Sequence, residues 1–204
     1  MLKILINEPD AMFRKGMICF LKELFWIKLG RKCEYVTDFT PENIADADVI
    51  VLSLRQGERY ICFPDLRARR KGIVIGLVDE ADNYHKSPSC FADIIYILRR
   101  ETLKEISQKI TATWRSWLMS EGFSRYKTCS GCRYVTISPQ QKEIMAGLYR
   151  GLSIQEIAIM LRVTYKTVAA QKYVVMRKYS LKNDHDLLHF LGILRDKSIT
   201  RLFL

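Results

Sequence analysis

G-L-S-I-Q-E-I-A-I-M-L-R-V-T-Y-K-T-V-A-A-Q-K, residues 151–172, decides how the C-terminal third of the chain folds. Ser153 followed three residues later by Glu156 is a capping box, and Thr164 opens a second amphipathic run, so two helix starts stand close together. On the first helix Ile154, Ile157, Ala158 and Leu161 make one apolar stripe. On the second, from Thr164 to Tyr179, Val168, Val175 and Tyr179 face inward, while Lys166, Ala169, Ala170, Tyr173 and Arg177 face outward. The connection is so short that the two helices must cross sharply. A short scaffold helix, a tight turn and a longer helix with a basic, partly flat outer face can set a recognition helix into the DNA major groove. Periodicity alone allows an ordinary helical hairpin with a solvated basic face equally well.

Outward from this pair, Ser138 before Pro139 caps a preceding helix, and a fourth helix starts near Asp184 and runs to about Lys197. The reading is an all-α four-helix domain over residues 134–204. Residues 120–133 lack periodicity and collect Ser, Gly and basic residues, as a linker does. Before it, Leu2–Asn7, Asp48–Leu54, Ile73–Val78 and Ile94–Leu98 are short apolar runs suited to buried parallel strands, with a weaker one at Cys33–Thr37. Met12, Met17, Cys19, Phe20 and Leu24 mark a helix after the first strand, and Thr102–Leu118 reads as a closing helix. Strands so apolar and so spaced imply crossover helices on both faces, hence a doubly wound, flavodoxin-like α/β domain over residues 1–119.

The formal charge of +11 is unevenly distributed: residues 1–98 hold fourteen basic and fourteen acidic side chains, and the whole excess lies in residues 99–204. The C-terminal half is therefore the part suited to a polyanion. No run approaches a membrane span, and the opening Leu2–Ile6 run is broken by Glu8, Pro9 and Asp10, too early for a signal peptide. A cytoplasmic protein without a membrane partner is expected, with reduced cysteines. Cys19, Cys33, Cys62 and Cys90 read as core filler, and Cys129 and Cys132, a lone C-x-x-C in the linker, lack the four ligands of a structural zinc. His85, His185 and His189 stand in no triad spacing and there is no Gly-rich phosphate loop, so no catalytic residue, cofactor or metal is assigned and no enzyme is expected. Trp114 and Trp117 read as core, and Arg67-Ala-Arg-Arg-Lys71 as a solvated loop or helix end.

I-S-P-Q-Q-K-E-I-M at 137–145, G-L-S-I-Q-E-I-A at 151–158 and Y-K-T-V-A-A-Q-K at 165–172 resemble, in order and spacing, the LuxR/FixJ family of DNA-binding domains. K-T-V-A-A-Q-K and N-D-H-D-L-L-H-F-L, residues 166–172 and 183–191, look most like the Rcs-type regulators of bacterial capsule and surface structures. The resemblance implies that Lys166, Thr167, Lys172 and Lys178 hold phosphates, that Ala169, Ala170 and Tyr173 face base edges, and that Gln171 serves either purpose. It also implies dimerisation through the fourth helix, at Leu187, Leu188 and Leu191, although packing within the domain accounts for those leucines equally well. The function implied is a bacterial transcription regulator that binds double-stranded DNA and activates surface-structure genes (capsule or fimbriae) by contact with RNA polymerase. Its dimer partner would be a second copy or a related response regulator. The rival reading is an interaction protein that pairs with such a regulator and titrates it without binding DNA.

The N-terminal domain, with its opening I-N-E-P-D-A-M-F-R-K-G at 6–16, resembles a response-regulator receiver. That resemblance implies an acidic pair after the first strand to hold Mg²⁺, an aspartate ending the third, then a Thr or Ser and a Lys. Here the acidic pair falls on Glu8 and Pro9, Ser53 stands at the phosphoacceptor position, Val78 at the Thr/Ser position and Arg99 at or near the Lys. A neutral serine hydroxyl is a far poorer nucleophile than a carboxylate beside a metal. The expectation is a degenerate receiver, not controlled by aspartyl phosphorylation.

Overall fold

The computed structural model describes residues 1–80, 88–119 and 135–196. The linker at 120–133, with Cys129 and Cys132, lies outside the described residues, as do His85 and Lys197. Backbone contacts divide the chain into two compact units, Met1–Leu54 with Cys62–Arg133, and Arg55–Ile61 with Tyr134–Leu204.

The first unit is a five-stranded parallel sheet, β1 (Leu2–Asn7), β2 (Cys33–Val36), β3 (Val49–Ser53), β4 (Ile73–Val78) and β5 (Ile94–Leu98), in the order β2-β1-β3-β4-β5. That is a doubly wound, flavodoxin-like order, as the continuous apolar runs required. The runs are continuous because both faces are covered: Ile4, Ile6, Val49, Val51, Ile75 and Leu77 belong to one core layer, and Leu5, Ile50, Leu52 and Val74 to the other.

Helix α1 (Ala11–Leu29) is capped by Asp10, whose side chain accepts from the backbone N–H groups of Met12 and Phe13, and ends at Gly30 in the left-handed conformation. Helix α2 (Pro41–Asp46) starts at the Thr40 cap. Helix α3 (Leu103–Met119) closes the unit by burying Ile106, Ile110 and Trp114. Trp114 meets Phe25 edge-on at 5.4 Å and Trp117 at 4.9 Å, so both tryptophans serve the core, whereas Leu118 is exposed.

Three expectations need correction. Between β3 and β4 the described structure has 3₁₀ turns, Glu58–Tyr60 and Pro64–Ala68, in place of a crossover α-helix. Gly57, at φ 87°, and Pro64 each interrupt a helical run. Arg69, expected in solvent, is buried: its guanidinium pairs with Asp93 at 2.7 Å and donates to the carbonyl of Gly72. Of the four cysteines read as core filler only Cys90 is buried, and Cys19 is exposed.

In the second unit, α4 (Pro139–Tyr149), α5 (Ile154–Leu161), α6 (Tyr165–Lys178) and α7 (Asp184–Asp196) surround a core that includes Ile144, Ile157, Val168, Val175, Tyr179, Leu187 and Phe190. The caps are those the sequence prescribed: Ser138 and Ser153 form capping boxes with Gln141 and Glu156, and Thr164 accepts from the Thr167 amide at 3.1 Å. Among the described residues no helix is long and apolar enough to cross a membrane.

Gly72 fastens the sheet. Its φ is +77°, and a Cβ there would lie 2.0 Å from the Asp48 carbonyl oxygen, which itself accepts from the Ile73 amide at 3.0 Å. The Asp48 carboxylate binds the Lys3 amide at 2.8 Å and the Lys71 ammonium at 2.8 Å. Gly72→Ala should therefore lower the stability of the α/β unit by about 2–4 kcal/mol, from lost left-handed backbone plus the clash. Urea unfolding followed by tryptophan fluorescence reads this directly, since Trp26, Trp114 and Trp117 all lie in that unit. An unchanged midpoint would contradict it.

Candidate nucleic-acid interface

Helix α6 is positioned by what it buries. Val168 and Val175 lose essentially all exposure, as do Met176 and Tyr179, and the Tyr179 hydroxyl donates to the Val135 carbonyl at 3.1 Å. α5 enters the turn through Arg162 in the left-handed conformation, φ 54°, with its N–H on the carbonyls of Ala158 and Ile159. The Glu156 carboxyl at the other end of α5 is held below the usual carboxylate range, first by the Ser153 backbone N–H and then by its hydroxyl.

With that inner face fixed, Tyr165, Lys166, Ala170, Tyr173 and Arg177 are exposed, and Thr167, Ala169 and Gln171 are half-buried. Tyr173 is 63% exposed, unusual for so large a ring and suited to contact with base edges or sugar. A concavity of about 530 Å³ borders this face, lined among others by Ala170, Tyr173, Arg177 and Lys182.

Two basic residues assigned to phosphates are placed otherwise. Lys172 is buried at 7% exposure, and its ammonium pairs with Asp184 at the start of α7 at 2.7 Å, beside the Tyr173 ring at 5.4 Å. It ties α6 to α7 and does not share the outer face. Lys178 is exposed, yet its ammonium donates to the Thr136 carbonyl and to Gln141 Oε1, each at 3.0 Å. Gln141 in turn donates to Gln171 Oε1 at 2.7 Å, so a buried amide links α4 to α6 and directs Gln171 inward.

On α7, Leu187 and Leu191 are core residues and only Leu188 presents its side chain, which corrects the assignment of all three to a dimer surface. Tyr165 and Arg177 were missing from the assigned DNA-binding set; the outward position of Arg177, one helical turn beyond Tyr173, was legible from spacing.

The receiver-like pocket lies at the C-terminal ends of β1, β3, β4 and β5, where an open parallel sheet places its ligands. The strand register puts Ser53 opposite Leu77 and Val78 opposite Leu98. Glu8 is buried; its carboxylate accepts from the Asp10 amide at 2.9 Å and pairs with the Arg99 guanidinium, and its carbonyl accepts from Arg14 at 2.6 Å. The same Arg99 nitrogen donates to Ser53 Oγ at 2.7 Å, while Nε lies 3.4 Å from Asp79 and the guanidinium covers the Phe13 ring at 4.4 Å.

Glu8, Ser53 and Arg99 are thus brought together, Val78 is buried at its strand end, and Pro9 is exposed. Asp10 is exposed at the helix cap, its carboxyl held below the usual range first by the Phe13 amide, then by Met12 and the charges of Arg99 and Arg14. The set does not fit Mg²⁺, which requires a near-octahedral set of oxygens: the one buried carboxylate is already engaged by a guanidinium.

Residues 135–191 match the family model described as bacterial regulatory proteins, luxR family. Over 56 residues, 28% of this chain, the sequence is 39% identical to the transcriptional regulatory protein TdiR of Thauera aromatica, and over 59 residues it is 39% identical to the transcriptional activator protein BglJ of Escherichia coli K12. These matches span 25% and 26% of the two relatives' own lengths. Among solved structures, the RcsB–DNA complex is similar at a TM-score of 0.55 and 19% identity, covering 94% of this chain and 98% of that one. RcsB of Salmonella enterica serovar Typhimurium bound to promoter P1flhDC is similar at a TM-score of 0.58 and 20% identity, covering 93% and 97%. Those likenesses establish the fold along nearly the whole chain. Residues 135–191 are a helix-turn-helix domain of the LuxR family of regulatory proteins, carried in this chain beside a receiver-like α/β domain.

Proposed function

We propose that the chain is a cytoplasmic, sequence-specific DNA-binding transcription regulator that acts as a dimer and whose receiver-like domain takes no aspartyl phosphate. The observation that carries this reading is the outer face of α6, where Lys166 and Arg177 flank Ala170 and Tyr173, all four exposed. Cations neutralise phosphates, and a small residue lets the helix backbone approach the base edges. Thr167 and Ala169 extend that surface, and Lys182 borders it through the adjoining concavity.

Activation is favoured because BglJ bears the name of a transcriptional activator. Dimeric binding is favoured because a solved structure in the comparison holds two RcsB dimers on DNA. The partner is a second copy or a related response regulator, and RNA polymerase is the expected further contact. Surface-structure genes are the targets suggested by the Rcs-type look of residues 166–172 and 183–191. Domain boundaries at 119 and 134 complete the proposal.

Genome-wide mapping of occupancy, with the wild-type chain and with a Lys166→Ala/Arg177→Ala variant, tests the reading. Discrete sites lost in the variant are expected; no sites with either protein would replace it with the titrating-partner reading. On a fragment so identified, Lys166→Ala should reduce the slope of log K against log salt by about one, the signature of one lost phosphate contact. Lys172→Ala should leave that slope unchanged and lower the stability of the helical unit by roughly 1 kcal/mol, because its partner Asp184 is largely solvated and gains little from the pair. A reduced slope for Lys172→Ala would return that residue to the DNA face.

For the receiver-like pocket, incubation with acetyl phosphate and Mg²⁺ should give no retarded band on a phosphate-affinity gel. A band abolished by Ser53→Ala would overturn the phosphate-independent reading.

A further inference from the structure

A groove of about 590 Å³ opens between α1 and the start of β2, away from the pocket at the strand ends. Cys19, Lys22 and Trp26 line it at helical spacing along α1, and Arg31, Lys32 and Cys33 close it from the segment that enters β2. Its size falls within the range of small-ligand pockets. Trp26 offers its indole at 56% exposure, and an indole open to a concave surface provides a face for stacking.

The rim is cationic. Lys22, Arg31 and Lys32 stand against one acidic lining residue, Glu23, and among the described residues the three cations have no ion-pair partner within 4.0 Å. The Cys33 thiol does not oppose an anion. Burial pushes the Cys33 thiol up, so it stays neutral and behaves as a small, polarisable apolar group. The Tyr35 hydroxyl, buried and without an oxygen or nitrogen partner, has the Cys33 and Cys19 thiols as electrostatic neighbours and likewise remains protonated.

We propose that this groove binds a small aromatic carboxylate, its ring against Trp26 and the two thiols and its carboxylate at the Arg31–Lys32 rim. The planar guanidinium fork suits a carboxylate, and the remaining lining suits a ring of one or two cycles. A polyphosphate is disfavoured, because the groove offers no run of backbone N–H donors at a helix start.

Isothermal titration of the full chain with 1-naphthoate, against the neutral 1-naphthalenemethanol, tests the site. Saturable one-to-one binding of the acid is expected, about tenfold or more tighter than the alcohol. Arg31→Gln/Lys32→Gln should abolish that preference while leaving the alcohol's affinity unchanged, and Trp26→Ala should weaken both. All three side chains are exposed, and matching thermal melts verify that the variants fold. Bound naphthoate should also slow alkylation of Cys19 and Cys33 by iodoacetamide, read residue by residue in mass spectra, with Cys62 unaffected. Equal binding of acid and alcohol, wild-type affinity in Trp26→Ala, absence of binding up to millimolar naphthoate, or binding without thiol protection would each overturn the proposal.

Discussion

Burial of Val168 against the α5 core is the contact on which the outer face of the helical domain depends. Val168 and Ile157 are both fully buried, and a buried aliphatic side chain of this size contributes roughly 1.5–3 kcal/mol. With a period of 3.6 residues, anchoring α6 at 168, 175 and 179 leaves 166, 170, 173 and 177 facing away. α4 supports the arrangement by approaching α5 closely at Gly147, where a Cβ would lie 2.8 Å from the Ile157 side chain. The surface offered to DNA is thus set by apolar packing, and its basic residues depend on that packing for their direction.

Much of this was legible in the sequence because the signals are local. The Ser138 cap before Pro139, the capping box at Ser153 and the Thr164 cap each need only a few adjacent residues to be recognised, and all three form, with Gln141 adding a second box at Ser138 that was not read. The apolar runs of β1, β3 and β4 were equally plain, since strands buried on both faces have no polar alternation to obscure them, and the half-buried edge strand β5 is apolar throughout as well. Lys172 was misassigned against its own periodicity. It lies four residues after Val168 and three before Val175, on the inner stripe, and resemblance placed it among phosphate contacts. Its partner Asp184 belongs to the next helix, so no pattern within α6 announced the ion pair. Leu187 and Leu191 were ambiguous for a related reason: a leucine stripe looks the same whether it covers its own core or a second copy.

The receiver-like pocket shows the limit of reading departures singly. Glu8 registered as the one acidic ligand kept, and Pro9, Ser53 and Arg99 each as the loss of an expected group. The structure shows three of them joined, with one guanidinium nitrogen on both the Glu8 carboxylate and the Ser53 hydroxyl. These contacts span 91 and 46 residues, beyond the reach of any local pattern. Arg99 brings its own positive charge to the buried Glu8 carboxylate, and Phe13 and Asp79 hold it from the remaining sides. Breaking such a pair would leave a buried carboxylate uncompensated, which is far costlier than the pair is stabilising. With its one buried carboxylate so engaged, the pocket leaves no free buried acidic oxygen for a metal without first breaking that pair.

Net charge also overstates what reaches the DNA. Lys172, Arg69 and Arg99 are committed to internal pairs, and Lys178 to Thr136 and Gln141. The exposed basic side chains on α6 that make no such contact are Lys166 and Arg177. Counterion release scales with the number of phosphates neutralised, each contributing about 0.9 to the salt slope, so the two free cations of α6 by themselves supply only a small part of an affinity at physiological salt. Two copies on one site double the phosphate count and turn the second contact into an intramolecular step, with an effective concentration far above that of a free protein. In the paired binding proposed above, the sparse charge on α6 is thus doubled at the site, whereas on α7 Leu188 is the exposed member of the leucine set.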